Sequence, residues 1–295
     1  MLSPWLELPG AADQLALWSK ASGLDLVRLG TTASTEEITD TAVTQPLVVA
    51  TTLLAHQELT RRGLLGDTEL IVAGHSVGEI AAYAIAGVLG ADDAVALAAT
   101  RGAEMAKACA LEPTGMSAVL GGDEAEVLSR LEELDLFPAN RNGAGQIVAA
   151  GPLAALEKLA EDPPAKARVR ALGVAGAFHT KYMAPALDGY AAAAAAVVTA
   201  EPAATLLSNH DGKPVKSAAA AMDTLVAANR TTPPQSMSAV EDLKTYQKFA
   251  QAHVDGLKNL ISAFGTLYDA MPDAQKKIAD KVFLMSGRDP TQSRS

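Results

Sequence analysis

Glu69-Leu70-Ile71-Val72-Ala73-Gly74-His75-Ser76-Val77-Gly78-Glu79 is the stretch on which the fold turns. Glu69 to Ala73 is an apolar run of strand length, and Glu79 to Leu89 has helical texture. Between them lies a G-x-S-x-G, Gly74 to Gly78. With a strand before it and a helix after it, this spacing is a nucleophile elbow. The turn is tight, so glycine is expected at both flanks, and the serine hydroxyl is thrown clear of the backbone. The next amide and the helix N-terminus then face whatever the serine attacks. The same residues also read as a tight strand-to-helix turn with Ser76 as a capping residue. Either way a strand feeding a helix is the building unit of an α/β domain.

Working outward, Ala11–Ser22 reads as a helix closed by Gly23, and Pro46–Arg62 as another, with Pro46 in its first turn and Gly63 at its end. Asp92 is placed to cap a helix running to Ala110. From Pro113 the texture changes. Met116–Leu120 is strand-like, Asp123–Leu134 helical, Phe137–Asn140 and Gln146–Ala150 two strands across a Gly-rich turn, Pro152–Ala160 helical, and Arg168–Val174 a last strand. The order βαββαβ is ferredoxin-like. It predicts a small subdomain over 113–176 inserted into a larger α/β core made of 1–112 and 177–229. Tyr182–Val198 reads as an alanine-rich helix, Thr205–Ser208 as a strand before an Asp211-Gly212 turn, and Met222–Asn229 as a helix. Residues 230–236 have linker composition. Beyond them Phe249, Val254, Leu257, Ile261, Phe264 and Tyr268 recur at helical spacing, and Pro272 opens a second helix, so the tail is expected to be a helical hairpin with no assigned partner.

A chain of 295 residues accommodates such an insertion. Aromatics are 4% of the residues, so the core must be built from Leu, Val, Ile and Ala. The formal net charge of -10 argues against a nucleic-acid partner, which calls for a basic surface. Cys109 is the single cysteine, so no intrachain disulfide is available, in keeping with a reducing compartment. The N-terminus lacks a basic region followed by an apolar stretch, and the longest uncharged runs are too short to span a bilayer. A soluble cytoplasmic protein with no membrane contact is the expectation.

Ser76 needs a base, and the chain has 5 histidines. His56 lies mid-helix, His210 adjoins a turn and His253 lies in the tail. His75 leaves the turn in another direction from Ser76 and is placed to line a pocket. His179 follows an apolar strand and opens a connection, the position expected of a catalytic imidazole; a structural histidine at the subdomain junction is the competing reading. Leu97, Arg101 and Met105 share one helix face. A guanidinium on that apolar face needs an anion, either a substrate carboxylate held by its planar fork or an internal partner such as Glu104. From the residues alone the internal salt bridge is favoured. Asn140, Asn142 and Gln146 flank a glycine-rich turn, where Asx residues ordinarily serve the turn itself.

Together these segments resemble the malonyl-CoA:acyl carrier protein transacylases of bacterial fatty-acid synthesis, over residues 1–229. Ala73-Gly74-His75-Ser76-Val77-Gly78-Glu79 looks like the family's serine motif, and Arg101-Gly102 with Met105 like its arginine helix. Asn140-Arg141-Asn142-Gly143-Ala144-Gly145-Gln146-Ile147-Val148 is similar to its asparagine-rich hairpin, and Gly176-Ala177-Phe178-His179 to its histidine motif. Phe178 is the form associated with malonyl rather than methyl-branched units. The resemblance implies an α/β-hydrolase-like core with a parallel sheet. It implies that Ser76 takes a malonyl group from coenzyme A, that His179 is general base and then acid, and that the phosphopantetheine thiol of acyl carrier protein attacks the ester. Arg101 would hold the malonyl carboxylate, and the Val77 amide would be one oxyanion donor. Malonyl-CoA and acyl carrier protein are the implied partners. A coenzyme A thioester is the substrate, and no metal or redox cofactor is called for.

Two departures bear on this. The family's opening strand and Gly-Gln-Gly stretch, whose region supplies the second oxyanion donor, has no match here, and such a donor is worth about a hundred- to a thousand-fold in rate. The family's C-terminal segment is not visible in 230–295 either, so the expectation is a transacylase body, shortened at its start, joined to a foreign helical tail. Two other readings stay open at this level: an α/β-hydrolase-like serine esterase, and an inactive carrier-protein-binding or helical interaction protein.

Overall fold

In the computed structural model the chain is described at residues 1–65, 70–142, 145–227 and 229, with scattered positions between 265 and 280. It divides into two units, Met1–Thr231 and Thr232–Ser295. The first unit opens with a 3-10 turn, Ser3–Glu7, and four helices: α1 (Ala11–Ser22), α2 (Leu26–Thr31), α3 (Thr35–Thr39) and α4 (Thr41–Arg61). Strand β1 (Ile71–Ala73) leads through the elbow into α5 (Val77–Ile85), followed by α6 (Ala91–Cys109). Then come β2 (Thr114–Gly121), α7 (Glu124–Glu133), β3 (Phe137–Arg141), β4 (Gln146–Pro152), α8 (Leu153–Glu161) and β5 (Ala167–Ala171). A 3-10 segment, Lys181–Ala186, precedes α9 (Leu187–Ala195), β6 (Thr205–Leu207) and α10 (Ala218–Ala227).

Two sheets organise this unit. β1 and β6 pair in parallel, Ile71 opposite Thr205 and Ala73 opposite Leu207. The second sheet is antiparallel in the order β3-β4-β2-β5. For a βαββαβ unit that is the ferredoxin-like arrangement, the hairpin strands β3 and β4 adjacent, β2 beside β4 and β5 at the edge beyond it. Each lobe has its own apolar centre. Leu15, Trp18, Leu47, Ile80, Leu97 and Leu225 belong to the core cluster, and Val119, Val127, Leu131 and Leu159 to that of the small lobe.

Helix α6 is the hub of the core and packs on α1, α4, α5 and α9. Its approach to α4 is backbone-close: a Cβ on Gly102 would lie 2.5 Å from the Thr41 carbonyl oxygen. Glycine is therefore required by space there, at the cost of helix propensity.

Several element boundaries differ from those expected. Helix α4 begins at Thr41, not Pro46, because Asp40 caps it through the Ala42 amide at 2.8 Å. Pro46 sits inside the helix and removes one interior hydrogen bond. Helix α6 is preceded by Gly90 rather than capped by Asp92, which lies in its first turn where a carboxylate suits the helix dipole. The span Tyr182–Val198 is no single helix; Pro185 falls in the 3-10 segment and α-helix starts only at Leu187. Helices α2 and α3 were not expected. They are short and are led by side-chain caps, Asp25 onto the Arg28 amide and Ser34 onto the Glu37 amide. Strand β5 stops at Ala171, short of Val174.

The hairpin expected over 249–283 lies for the most part outside the described residues. Where positions are described, the Pro272 carbonyl accepts the amides of Gln275 at 2.8 Å and Lys276 at 3.1 Å, an opening helical turn. Among the described residues no helix is long and apolar enough to cross a membrane.

Candidate active site

Ser76 ends the β1 turn with φ 55° and ψ -123°, a conformation that side chains avoid. Its hydroxyl does not cap α5. The capping reading of this serine is therefore not what the structure shows. The strain is held from beneath, since a Cβ on Gly74 would lie 2.2 Å from the Gly78 carbonyl oxygen and 2.5 Å from the Glu79 nitrogen. The other flank corrects the expectation of a turn closed on both sides: a Cβ on Gly78 would meet nothing within 4 Å. The Gly78 and Glu79 amides are taken by the His75 and Ser76 carbonyls. Among the described residues the Val77 amide, the first of α5, has no hydrogen-bond acceptor.

Arg101, on the face of α6 toward the elbow, is 4% exposed. Its Nη2 donates to Ser76 Oγ at 3.2 Å, its Nη1 to Gln45 Oε1 at 2.6 Å and its Nε to Asn229 Oδ1 at 2.8 Å. All three acceptors are uncharged. The expected bridge to Glu104 does not form; Glu104 pairs with Lys107 at 2.6 Å instead. A buried guanidinium held by neutral oxygens beside a serine hydroxyl is prepared for an anion that arrives from outside.

The loop carrying His179 is fixed by small residues. The Ala177 amide donates to Thr114 Oγ1 at 3.1 Å, and Thr180 Oγ1 donates to the Ala177 carbonyl at 2.6 Å. Gly176 lies against α6, where a Cβ would fall 2.4 Å from Cys109 Sγ. His179 itself has φ 59°. Its ring centroid is 5.5 Å from that of His75. Ser76 Oγ makes no hydrogen bond to His179 in this structure, so the imidazole joins the cluster through His75 and through the field of Arg101. Such pairs are often loose until substrate binds.

The electrostatics follow from that placement. Burial, then Arg101, then His75, push the His179 imidazole down to about 4, so it is neutral at pH 7 and able to accept a proton. His75 is lowered by burial and by Arg101.

The remaining expected residues divide. Val77 is half-buried at the first helical position. Met105 is 7% exposed, and its sulfur accepts from Gln45 Nε2 at 3.2 Å. Phe178 packs against both the Met105–Met183 cluster and the Met116–Val148 cluster of the small lobe. Asn142 is exposed at the β3–β4 turn, its amide bonded to the Gln146 carbonyl at 2.9 Å, and shares no hydrogen bond with the Ser76–Arg101 group. Three residues of the site were missed. Gln45 holds Arg101 while donating to Thr41 Oγ1 at 2.9 Å, Asn229 holds it from the far end of the unit, and Glu79 lies fully buried behind the elbow. A glutamine among Leu47, Val49 and Ala50 on one helix was the available signal for the first.

Comparison with known proteins agrees with this geometry. The acyl transferase domain family matches residues 14–258. A malonyl CoA-acyl carrier protein transacylase of Mycobacterium bovis is 84% identical over 227 residues, 77% of this chain and 75% of that protein. The crystal structure of MCAT from Mycobacterium tuberculosis superposes with a TM-score of 0.75 at 82% identity, covering 79% of this chain and 76% of that one. A malonyl-transacylase in complex with a type II PKS acyl-carrier protein gives a TM-score of 0.71 at 28% identity, covering 78% and 76%. Likeness of that extent and degree reflects common descent, and the chain belongs to the acyl transferase domain family, among its malonyl CoA-acyl carrier protein transacylases.

Proposed function

We propose that this chain transfers a malonyl group from malonyl-CoA to the phosphopantetheine thiol of acyl carrier protein through an ester on Ser76. One observation carries the reading: the buried Arg101 guanidinium, with neutral partners only, stands 3.2 Å from Ser76 Oγ. A malonyl thioester has its carboxylate one methylene from the carbonyl that reacts, which suits an anion site beside a nucleophile. Ser76 Oγ attacks the thioester carbonyl while His179 takes the hydroxyl proton. The tetrahedral oxyanion draws on the Val77 amide. The carbon–sulfur bond breaks, and His179 returns the proton to the departing coenzyme A thiolate. The carrier thiol then gives its proton to His179 and attacks the ester, and Ser76 leaves with that proton.

Arg101 discriminates between acyl groups, since an uncharged acyl chain makes no ion pair with the guanidinium. His75, Met105 and Phe178 shape the site around it, and Asn142 is assigned to the substrate side of the small lobe. In this reading 1–112 and 177–229 form the serine-bearing core and 113–176 the lobe. The reaction needs no metal or redox cofactor, and the protein works in the cytoplasm on soluble partners. The test is incubation with radiolabelled malonyl-CoA: label is expected on Ser76, absent in Ser76→Ala, and chased off by acyl carrier protein. Folded chain that takes no label, or label that persists in Ser76→Ala, overturns the reading.

A further inference from the structure

Glu79 has no task in that mechanism, yet it is 0% exposed, one turn of α5 beyond Ser76. Its Oε1 accepts the Asn209 amide at 2.7 Å, which ties α5 to the turn after β6. Its Oε2 has no partner among the described residues, and neither have the hydroxyls of Tyr83 and Tyr190. A buried carboxylate with one oxygen unsatisfied is costly, and capping or packing does not account for it. Arg101 shows the complementary oddity, a buried cation bonded only to neutral oxygens. The two act on each other: the guanidinium favours ionised Glu79, and against the burial that lowers Arg101 work the fields of Tyr190 and then Glu79, of which Glu79 is the carboxylate.

We propose that Glu79 is a specificity-determining residue: it is the buried counter-charge of Arg101 in the free protein, and it gives up that role by taking a proton when the substrate carboxylate reaches the guanidinium. The proposal rests on the assignment of Arg101 as the malonyl site. Two carboxylates cannot share one buried guanidinium while both are ionised, because desolvation multiplies their repulsion. The substrate's carboxylate bonds directly to the guanidinium, whereas Glu79 acts across a distance, so Glu79 is the one neutralised.

Its environment fits a group poised for this. Burial pushes Glu79 up to about 7, against the pull of the Asn209 amide and of Arg101. The other ionisable groups around it are Tyr83 on its own helix and Tyr190 on α9, both phenols raised by burial first and so neutral, with Asp211 acting on Tyr83. His75 and His179 also feel Arg101, both lowered, first by burial and then by that arginine. Near pH 7 Glu79 stands at its own titration, whereas His179, held down to about 4, stays neutral there. The consequence is selectivity. A carboxylate-bearing acyl group triggers the neutralisation, and an uncharged one leaves Arg101 paired with Glu79 and gains nothing from it.

The experiment is calorimetry of malonyl-CoA binding at pH 8 to the full chain carrying Ser76→Ala, which stops at the bound complex, in two buffers of different ionisation enthalpy. Uptake close to one proton per malonyl-CoA is expected, with none for coenzyme A, and uptake is lost on adding Glu79→Gln. Affinity for malonyl-CoA should fall by up to about tenfold per pH unit above 7, and become flat in the Gln variant. Uptake that persists in Glu79→Gln overturns the proposal while leaving Arg101 as the malonyl site. Malonyl-CoA that binds no tighter than coenzyme A removes the Arg101 reading and the proposal with it. Should Glu79→Gln fail to fold, infrared difference spectra of the Ser76→Ala chain answer the same question. With 13C-malonyl-CoA at pH 8, a protonated carboxylic acid band from the protein must appear on binding, and its absence overturns the proposal.

Discussion

The two glycines of the elbow make opposite demands, and the contrast can be measured. Replacing Gly74 by Ala puts a methyl carbon 2.2 Å from the Gly78 carbonyl oxygen, 2.3 Å from its carbon and 2.5 Å from the Glu79 nitrogen. Ordinary contact begins near 3.4 Å, so backbone must move by about 1 Å. That backbone is the first turn of α5, and no flexible side chain can absorb the shift. Overpacking costs about 1–3 kcal/mol even where side chains yield, so the upper end, about 3 kcal/mol, is expected. For a unit of this size that lowers Tm by roughly 6–12 °C. Replacing Gly78 by Ala puts the methyl where nothing lies within 4 Å, inside a helix at ordinary φ. There Ala is favoured over Gly by about 0.8–1 kcal/mol, so Tm should hold or rise by a few degrees. Thermal and urea unfolding of the two variants decide the matter. A Gly74→Ala chain as stable as its parent, or a Gly78→Ala chain losing more than about 1 kcal/mol, would refute the elbow geometry described above.

Further expectations concern the residues around Ser76. At malonyl-CoA well below its KM the rate of Ser76 labelling should hold from pH 7 to about 5 and fall as pH drops through about 4, because only neutral His179 accepts the proton and subsaturating rates report the free protein; stopped-quench labelling reads this, and a half-loss near the ordinary imidazole value would place His179 outside the buried cluster. Gln45→Leu removes the 2.6 Å acceptor of Arg101 Nη1. A bond to a charged group is worth about 1.5–3 kcal/mol, so KM for malonyl-CoA should rise by about tenfold or more, with a smaller change in kcat. Gly102→Ala drives a methyl to 2.5 Å from the Thr41 carbonyl oxygen and 2.9 Å from Ala42 Cα, and urea unfolding should show a net loss of at least about 1 kcal/mol after the gain in helix propensity.

Local pattern carried much of the architecture. The elbow was legible because strand, turn and helix are contiguous there, and each has a period or a glycine of its own. The βαββαβ lobe was legible for the same reason, its Asp123 cap falling where Val127 and Leu131 begin a helical face. Proline misled twice. Pro46 reads as a helix start, but the Asp40 cap lies further upstream; the alanine-rich span Tyr182–Val198 reads as one helix, but Pro185 divides it. In the site, Ser76, Arg101 and His179 could be nominated by residue type. The partners of Arg101 could not, because Gln45 and Asn229 reach it from 56 and 128 positions away, and only packing brings them there. Glu79 sits in plain view in the motif, but its burial and its pull on Arg101 depend on how α5, α6 and α9 close around it.

Phe178 has a place in two apolar clusters, one against α6 and one against the lobe sheet. The imidazole next to it is thus anchored partly to the smaller body, whereas the elbow hydroxyl is anchored to the larger. Nucleophile and base share α6 as a support, through Arg101 for the one and Phe178 for the other, and the lobe sheet braces the base alone. Thinning the lobe side of that brace therefore loosens the imidazole while leaving the hydroxyl where it is.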